Sequence, residues 1–407
     1  MNAPRPTPAA ADQREVSRLR ILEEIRAADR IARIDIASAT GLSPATVTAI
    51  TADMLEEGLI EEISQEAGTG GAKAKRGRPR VLLKLRGEAH RIAGLKVSQK
   101  SIAVLLVDFS GTEIALHEHD LRNARMSGEE LADEIKTAVA ATCAKAGIEM
   151  RTLSGIAIGL PGQIDAAKGF VHWSSSLTER NVQFGDILAR KLSSPVFIDN
   201  DANLVAIAEQ LFGDGQGYRN FLVVTIEHGV GMGIVLDGKL YRGARGCGAE
   251  FGHTKVQNGG ALCQCGQRGC LEAYVGDYAL LREANIQTMG ERPNNVGDVL
   301  AAAREGDRLA QSVLDRAGQM FAMGLSNLIN IFDPQLIVLS GAQIAFDHLY
   351  EERVLDSVKR SVVEIDAPLP EIKVHHWGDL MWAKGAAAYG IEQVSARAAR
   401  EVTNAIT

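Results

Sequence analysis

Residues 250–272 read EFGHTKVQNGGALCQCGQRGCLE and contain the most specific pattern of the chain. One imidazole and three thiols are spaced as His253-x9-Cys263-x-Cys265-x4-Cys270. Four nitrogen and sulfur ligands form the closed tetrahedral set of a structural zinc site, which leaves no position for a reacting water. A redox pair of Cys263 and Cys265 is the competing explanation, but a third cysteine and a nearby histidine favour a metal. The segment therefore predicts a structural zinc ion, about one per chain.

This segment lies in a region, beginning near Glu88, where strand and helix patterns alternate along the chain. Residues 92–97 and 102–107 predict a hairpin, and four apolar residues at i, i+4 spacing predict a helix (Leu131, Ile135, Val139 and Cys143). Buried strands are predicted at residues 156–160, 195–198, 221–226 and 229–236. The alternation indicates an α/β fold.

A polar cluster follows the strand predicted at residues 195–198. It reads Asp199-Asn200-Asp201-Ala202-Asn203 and precedes a helix. In α/β sheets, ligands usually bind at the carboxyl ends of strands. Capping of the following helix would explain one of these carboxylates but not both. Further along, alternating glycines at positions 229, 231 and 233 indicate close approach to a ligand or simple packing, with equal weight.

The N-terminal region has a different pattern. Apolar residues recur at helical spacing between Val16 and Ile25, and a short helix predicted from Ile34 ends at Thr40-Gly41. Ser43 is placed as the N-cap of a third helix, with Pro44 as its first residue. The exposed N-terminal end of this helix carries short side chains that suit base edges in a major groove, and with the cap these are the predicted DNA contacts: Ser43, Ala45, Thr46 and Thr48.

A basic wing is predicted after this helix. Residues 59–63 and 81–85 can pair as two strands, and residues 73–86 carry seven basic side chains and no acidic one. Arg76 and Arg78 are predicted to lie in a narrow minor groove, which attracts arginine. A solvated linker or a helical bundle without function is the alternative, and the helix-turn-helix spacing together with the wing disfavours it.

The length and composition limit the number of domains and the class of protein. The 407 residues are 46% hydrophobic and 23% charged, which is typical of globular proteins and indicates two or three domains. No apolar run approaches the length of a membrane-spanning helix, and the first residues do not form a secretory signal. We therefore expect a cytoplasmic protein without membrane contact. Its net charge of −7 divides unevenly, with 14 basic and 12 acidic residues in positions 1–86.

Together these motifs resemble the ROK family, which comprises repressors, open reading frames and kinases, and specifically its winged-helix repressor branch. The resemblance spans nearly the whole chain and rests on five motifs: TGLS at 40–43, GRP at 77–79, DNDAN at 199–203, EFGH at 250–253 and CQCGQRGCLE at 263–272. It implies an actin-like (ribonuclease H-like) two-lobed sugar-binding module. It also implies that sugar hydroxyls are bound by Asn200, Asp201, Glu250, His253 and Glu272, and that zinc is bound by His253, Cys263, Cys265 and Cys270.

Two departures separate this chain from the kinases of the family. Where those enzymes carry a D-x-G-G-T-K phosphate loop, residues 96–101 read KVSQKS, and a second phosphate loop is replaced by Glu227-His228-Gly229. Phosphoryl transfer needs positive charge around the phosphates, so a carboxylate there opposes it. Asp201 matches the catalytic base of the kinases, but the same carboxylate can simply hold a sugar hydroxyl. We therefore expect no enzymatic activity.

The resulting prediction is a sugar-responsive DNA-binding repressor of carbohydrate genes. Residues 1–86 form the winged helix-turn-helix domain, residues 87–200 a first lobe completed by a helix at 378–397, and residues 201–377 a second lobe with the zinc loop. Its expected partners are operator DNA, a monosaccharide and a second copy of the chain in a homodimer or homotetramer. One alternative is a ROK sugar kinase with an accessory DNA-binding domain, and another is a non-catalytic scaffold. The sequence does not distinguish xylose, glucose, fructose or an N-acetylhexosamine as the effector.

Overall fold

The computed structural model describes residues 8–64, 81–287, 292–341, 352–363, 366, 368–375 and 380–405. Its N-terminal part forms a winged helix-turn-helix, built from α1 (Pro8–Ala28), β1 (Ile31–Ala32), α2 (Arg33–Thr40), α3 (Pro44–Glu56), β2 (Ile60–Ser64) and β3 (Val81–Leu85). β3 is the central strand of a three-stranded sheet in the order β1-β3-β2. The two-stranded wing predicted from the sequence is therefore confirmed, with β1 as an additional strand.

The turn between α2 and α3 follows the local sequence closely. Gly41 adopts a left-handed conformation (φ 69°) that ends α2, a conformation that glycine adopts without a steric penalty. The Ser43 side chain accepts a hydrogen bond from the backbone N–H of Thr46, and Pro44 opens α3. Both predicted signals are confirmed. Val16 and Ile34, in contrast, are exposed, so the helical spacing at these positions does not mark the core.

The remainder of the chain contains two five-stranded sheets with their helices. The first sheet and its helices comprise β4 (Arg91–Val97), β5 (Ser101–Asp108), β6 (Glu113–Asp120), α4 (Gly128–Ala146), β7 (Gly155–Leu160), α5 (Phe184–Lys191) and β10 (Val196–Asn200), with a small separate hairpin of β8 (Gly162–Asp165) and β9 (Phe170–Ser174). The part that follows comprises α6 (Asp201–Phe212), β11 (Phe221–Ile226), β12 (Val230–Leu236), β13 (Lys239–Leu240), α7 (Glu272–Val275), α8 (Asp277–Gln287), α9 (Val296–Arg304), α10 (Arg308–Phe332), β14 (Leu336–Ser340), α11 (Glu352–Ser361), β15 (Glu371–His375) and α12 (Met381–Ala405).

The two sheets have the same topology. The first has the order β6-β5-β4-β7-β10 and the second the order β13-β12-β11-β14-β15. In each, three antiparallel strands are followed by two parallel ones, beginning with the β4–β7 and β11–β14 pairs. This repeated arrangement is the actin-like, two-lobed fold that was expected.

Helices α6 and α12 pack together between the sheets, and glycines allow the close approach. A Cβ atom at Gly94 of β4 would lie 2.2 Å from the backbone nitrogen of Ala387 in α12. A Cβ atom at Gly233 of β12 would lie 2.5 Å from the Ala206 side chain in α6. Because such contacts are too short for any side chain, Gly94 and Gly233 are packing positions.

The winged helix packs directly on α12. Ile21, Leu22 and Ile25 of α1 share a buried cluster with Ala387 and Ile391 of α12. At the far end of α12, Arg400 Nε donates to Glu15 Oε1 at 2.7 Å. The sequence did not predict this contact, which joins the DNA-binding part to the helix between the two sheets.

Within the described ranges, no helix has both the length and the apolar character needed to cross a membrane.

Candidate functional site

A cleft of about 1040 Å³ lies between the two sheets. The first sheet contributes residues near the ends of its strands, and the second contributes the β11–β12 turn and the loops that follow β13. All five residues predicted to bind sugar line this cleft: Asn200, Asp201, Glu250, His253 and Glu272. Trp173 and Arg180 also line it and were not among the predicted residues. The long-range convergence of these residues makes the cleft the candidate effector site.

At the end of β10, two of the polar residues have structural roles. The Asn200 side-chain oxygen accepts hydrogen bonds from the backbone N–H groups of Ala202 and Asn203, and its amide donates to the Gly162 carbonyl at 2.8 Å. Asn200 is therefore the N-cap of α6 and keeps one amide proton for a ligand. Asp199 is fully buried and accepts from Asn203 and, at 2.7 Å, from Arg242 Nε. Helix capping and packing thus account for these two residues but not for Asp201.

Three carboxylates face one another across the cleft. Burial raises the pKa of Asp201, and the Lys96 ammonium opposes this shift while Glu227 adds to it. Burial also raises the pKa of Glu250, which is further affected by the charges of Glu272 and Asp201. Desolvation and nearby like charges disfavour the ionised form of a carboxyl group, and hydrogen-bond donors offset that cost. Asp201 accepts one such bond, from the backbone N–H of Ala202 at 3.0 Å, and keeps further acceptor positions. Hydroxyl groups on a ligand would donate to those positions.

Glu272 links this carboxylate group to the cysteine loop. One of its oxygens accepts from the backbone N–H of Val230 at 3.3 Å, and the other is 3.3 Å from the Tyr278 hydroxyl and 3.4 Å from Cys263 Sγ. A Cβ atom at Gly229 would lie 2.8 Å from the same carboxylate. The orientation of Glu272 therefore depends on the loop and on the β11–β12 turn.

The predicted metal ligands lie together. The ligand atoms of His253, Cys263, Cys265 and Cys270 are all within 4.8 Å of one another. Both the Cys263 Sγ–His253 Nδ1 distance and the Cys265 Sγ–Cys270 Sγ distance are 3.7 Å. Tetrahedral ligands at about 2.3 Å from an ion are separated by about 3.8 Å, so the group fits a bound zinc ion.

The cysteine ligands would bind an ion as thiolates. Burial raises the pKa of the Cys270 thiol to about 11, although Lys255 Nζ lies 2.9 Å from its sulfur. Because a bound metal ion requires thiolates, it would reverse this preference. The two nitrogens of His253 face different groups: Nδ1 faces Cys263, and Nε2 lies 3.8 Å from a carboxylate oxygen of Glu250. One imidazole can therefore contact both an ion and the cleft.

A second cluster of possible ligands has internal partners instead. Glu209 is buried, and one of its oxygens lies 2.7 Å from His375 Nδ1. Asp214, the third member, is 3.5 Å from Lys373 Nζ. This cluster offers three ligands and no sulfur, whereas the cysteine loop offers one imidazole and three thiols, so the cysteine loop is the better zinc candidate.

The opposite half of the cleft contains residues at the positions of the two altered phosphate loops. Lys96 Nζ lies 3.1 Å from Glu227 Oε2 and 3.8 Å from the centroid of the Trp382 ring. The Trp382 indole N–H donates to Glu227 Oε1 at 2.8 Å. We call these three residues the Lys96–Glu227–Trp382 triad. The pairing of Lys96 with Glu227 was not predicted, although their opposite charges are a signal that could have indicated it.

The predicted DNA contacts lie at the exposed end of α3. Ser43, Ala45, Thr46 and Thr48 are all exposed. The hydroxyls of Ser43 and Thr46 are 2.8 Å apart, and the Thr48 hydroxyl donates to the Pro44 carbonyl at 2.8 Å. The methyl groups of both threonines remain available for contact with bases. Arg76 and Arg78 lie outside the described residues.

Comparison with known proteins identifies the family. The model of the ROK family matches residues 92–392, and a model described as winged helix-turn-helix DNA-binding matches residues 14–61. The chain belongs to the ROK family. This ROK chain is 31% identical over 343 residues to the DNA-binding transcriptional repressor Mlc of Escherichia coli, with 82% of each protein covered. It is also 30% identical to the xylose repressor of Bacillus spizizenii, covering 86% of this chain and 88% of that repressor.

Solved structures of ROK proteins have the same fold. A ROK family transcriptional regulator described as a homologue of E. coli Mlc superimposes with a TM-score of 0.79 at 24% identity, covering 97% of this chain and all of that one. A ROK glucokinase from Streptomyces griseus, solved with glucose and AMPPNP, superimposes with a TM-score of 0.61 at 27% identity. The kinase covers only 74% of this ROK chain, whereas the regulator covers nearly all of it.

Proposed function

We propose that this chain is a transcriptional repressor of carbohydrate genes whose operator affinity changes when a monosaccharide binds in the cleft. One observation carries the proposal: the hydroxyl-binding half of the cleft brings together Asp201, Glu250 and Glu272, with burial raising the pKa of the first two, whereas the other half is filled by the internally neutralised Lys96–Glu227–Trp382 triad. The match to a winged helix-turn-helix and the similarity to Mlc and to xylose repressors support it.

The proposal assigns roles to three parts of the chain. Residues 1–86 bind operator DNA, with contacts from Ser43, Ala45, Thr46 and Thr48 in the major groove and from Arg76 and Arg78 in the minor groove. Residues 87–200 with the C-terminal helix form the first lobe, and residues 201–377 form the second. The monosaccharide is held between the lobes by Asn200, Asp201, Glu250, His253 and Glu272, which supply charge-assisted acceptors to its hydroxyls.

We further propose that zinc, about one ion per chain, binds His253, Cys263, Cys265 and Cys270. The ion would cross-link the loop and supply no catalytic step, because four protein ligands close its coordination. His253 and Glu272 would then be positioned for the sugar through the loop that the ion holds.

A sugar kinase is the second candidate, and the retained Asp201 together with the similarity to a ROK glucokinase favours it. We infer that phosphoryl transfer does not occur, because the Lys96 ammonium is paired with Glu227 and so is not free to neutralise phosphate charge. A scaffold without a ligand would leave the group of desolvated carboxylates unexplained.

Operator recognition implies two further properties. A repressor acts where the chromosome is, which in bacteria is the cytoplasm. Paired half-sites on DNA also require paired winged helices, so we propose a homodimer or homotetramer.

A sugar panel tests the proposal. Thermal shift of the full chain against xylose, glucose, fructose and N-acetylglucosamine identifies the effector, because a ligand that binds only the folded state raises the melting temperature. Operator affinity is then measured with and without that sugar, beside an ATP phosphoryl-transfer assay. A sugar-dependent change in operator affinity without ATP turnover supports the repressor, and sugar-dependent turnover supports the kinase.

A further inference from the structure

The Lys96–Glu227–Trp382 triad joins elements that are far apart in the chain. Lys96 lies on β4 of the first sheet, and Glu227 follows β11 of the second, 131 residues later. Trp382 is the second residue of α12 and lies 155 residues after Glu227. Each pair in the triad is in contact, so the three side chains form a closed set across the cleft.

The triad is shielded from water, which strengthens its interactions. The Lys96 side chain is 15% exposed and the Glu227 side chain 25%, while Trp382 is 5% exposed. Reduced solvation raises the strength of both the ion pair and the cation–π contact over that of a surface pair. Removing one charged partner from such a site leaves the other poorly solvated, so the members depend on one another.

Trp382 also places the beginning of α12 against the second sheet. It belongs to a buried cluster with Val223 of β11 and Val338 of β14. Five residues later, Ala387 of the same helix packs on β4 of the first sheet at Gly94. Helix α12 therefore contacts both lobes.

The other end of α12 holds the winged helix. Ile391 and Val394 share a buried cluster with Ile21 and Ile25 of α1, and Arg400 pairs with Glu15. A continuous helix of 25 residues thus connects the triad with the DNA-binding part. Movement at the Trp382 end of a rigid helix is transmitted to its other end.

Lys96 interacts with the sugar half of the cleft as well. Lys96 and Asp201 line the same cleft, and the positive charge of Lys96 opposes the rise in the pKa of Asp201 that burial causes. Asp201 is the carboxylate proposed to hold a sugar hydroxyl. Glu227 and Asp201 therefore compete for one cation. A ligand that donates hydrogen bonds to Asp201 changes this competition, and with it the strength of the Lys96–Glu227 pair.

We propose that the Lys96–Glu227–Trp382 triad is an interlobe clamp that holds one arrangement of the lobes, and that its strength sets operator affinity through α12. The three are positioning residues, since none touches DNA. The proposal rests on the repressor function described above and adds how the cleft communicates with the winged helix. It requires two lobe arrangements with different operator affinities.

The test measures operator affinity of the full chain without sugar for Lys96→Met, Glu227→Gln and the double variant. Glu227→Gln keeps the side-chain volume and an oxygen for the Trp382 N–H, so it isolates the lost charge. We expect each single variant to change operator affinity about five- to tenfold, and the double variant to change it no more than either single one, because the partners are coupled. Lys96→Arg keeps the charge and the contact with the ring, and is expected to stay within about twofold of wild type.

Lys191→Met is the matched control, because Lys191 pairs with Asp133 at 2.6 Å and Glu129 at 3.0 Å inside the first lobe. The clamp proposal is wrong if the operator affinities of the triad variants lie within about twofold of this control, or if the effects of the two single variants add in the double variant. Hydrogen exchange at residues 96–101 and at the first turn of α12 gives a second readout that needs neither sugar nor DNA: faster exchange in Glu227→Gln supports the clamp, and unchanged exchange opposes it. A wild type that responds to no sugar would overturn the repressor function, while these sugar-free measurements would still decide the clamp.

Discussion

The two halves of the cleft differ in how their carboxylates are neutralised. In the sugar half, Asp201, Glu250 and Glu272 approach one another, and burial raises the pKa values of Asp201 and Glu250. In the other half, Glu227 is neutralised by Lys96 and by the Trp382 N–H. The first half presents acceptors that a polyhydroxyl ligand can satisfy, whereas the second has already satisfied its own. The comparison indicates that the two halves of one cleft can favour different ligands, because burying polar groups is costly unless a partner compensates them.

The largest effect is expected from a change in the cysteine loop, which positions His253 and Glu272 in the sugar half of the cleft. Cys263→Ser should take the zinc content from about one ion per chain to near zero and lower the free energy of unfolding by on the order of 4 kcal/mol, since loss of a structural metal is among the most damaging changes. Elemental analysis and urea denaturation measure both. Cys247→Ser is the control, because Cys247 is not in the ligand group. A metal-free wild type that is folded and binds sugar would refute the assignment.

Asp201→Asn tests the sugar half directly. Loss of a charged acceptor costs about 1.5–3 kcal/mol, so sugar affinity should fall about 10- to 100-fold. Operator binding without sugar should be retained, because Asp201 does not lie on the DNA-binding surface, and any change in sugar-free affinity would report the loss of Asp201 as a competitor for Lys96. Titration of operator with and without sugar measures the response. If the variant keeps the wild-type response, Asp201 does not bind the sugar. If the wild type turns over ATP and Asp201→Asn abolishes this turnover, the protein is a sugar kinase.

The DNA-binding surface should be independent of both halves. Arg78→Ala should weaken operator binding about tenfold and reduce the salt dependence by about one phosphate contact, while leaving the ratio of affinities with and without sugar unchanged. Thr46→Ala should instead alter base preference. Binding measured over a range of salt concentrations distinguishes the two variants. Unchanged affinity of Arg78→Ala at every salt concentration would make the wing loop a linker.

The smallest expected effect is a pH-dependent difference in stability between Asp201→Asn and the wild type. It tests whether the sugar half of the cleft holds a carboxylate that is costly to ionise. Burial raises the pKa of Asp201 in the folded protein, so its ionised form opposes folding at neutral pH. Asp201→Asn should therefore be slightly more stable than wild type near neutral pH, and this difference should disappear as the pH falls below about 4, where the carboxyl is protonated in both states. Urea denaturation at the two pH values measures it. A variant that is less stable than wild type at neutral pH would contradict the assignment of Asp201 as an underpaired carboxylate.

Local patterns predicted much of this molecule. The Ser43 cap, the left-handed Gly41, the wing strands and most strand positions depend on neighbouring residues, and all are found in the structure. The spacing from His253 to Cys270 also predicted that the four ligands lie together. Their separation in sequence is short, so their proximity depends little on the rest of the fold. The packing of α1 on α12 was not predicted, since apolar helix faces do not specify their partner.

The sequence by itself thus determined the fold class and predicted the residues that line the cleft, the four grouped ligands and the loss of both phosphate loops. Only the tertiary structure decided that Asn200 serves first as a helix cap, that the two imidazole nitrogens of His253 face different groups, and that Lys96 pairs with Glu227 and Trp382. The physical reason is the range of the interaction. Caps and loop ligands are set within a few residues, whereas a contact between side chains 131 positions apart depends on the order of the strands in two sheets and on the helix packed between them.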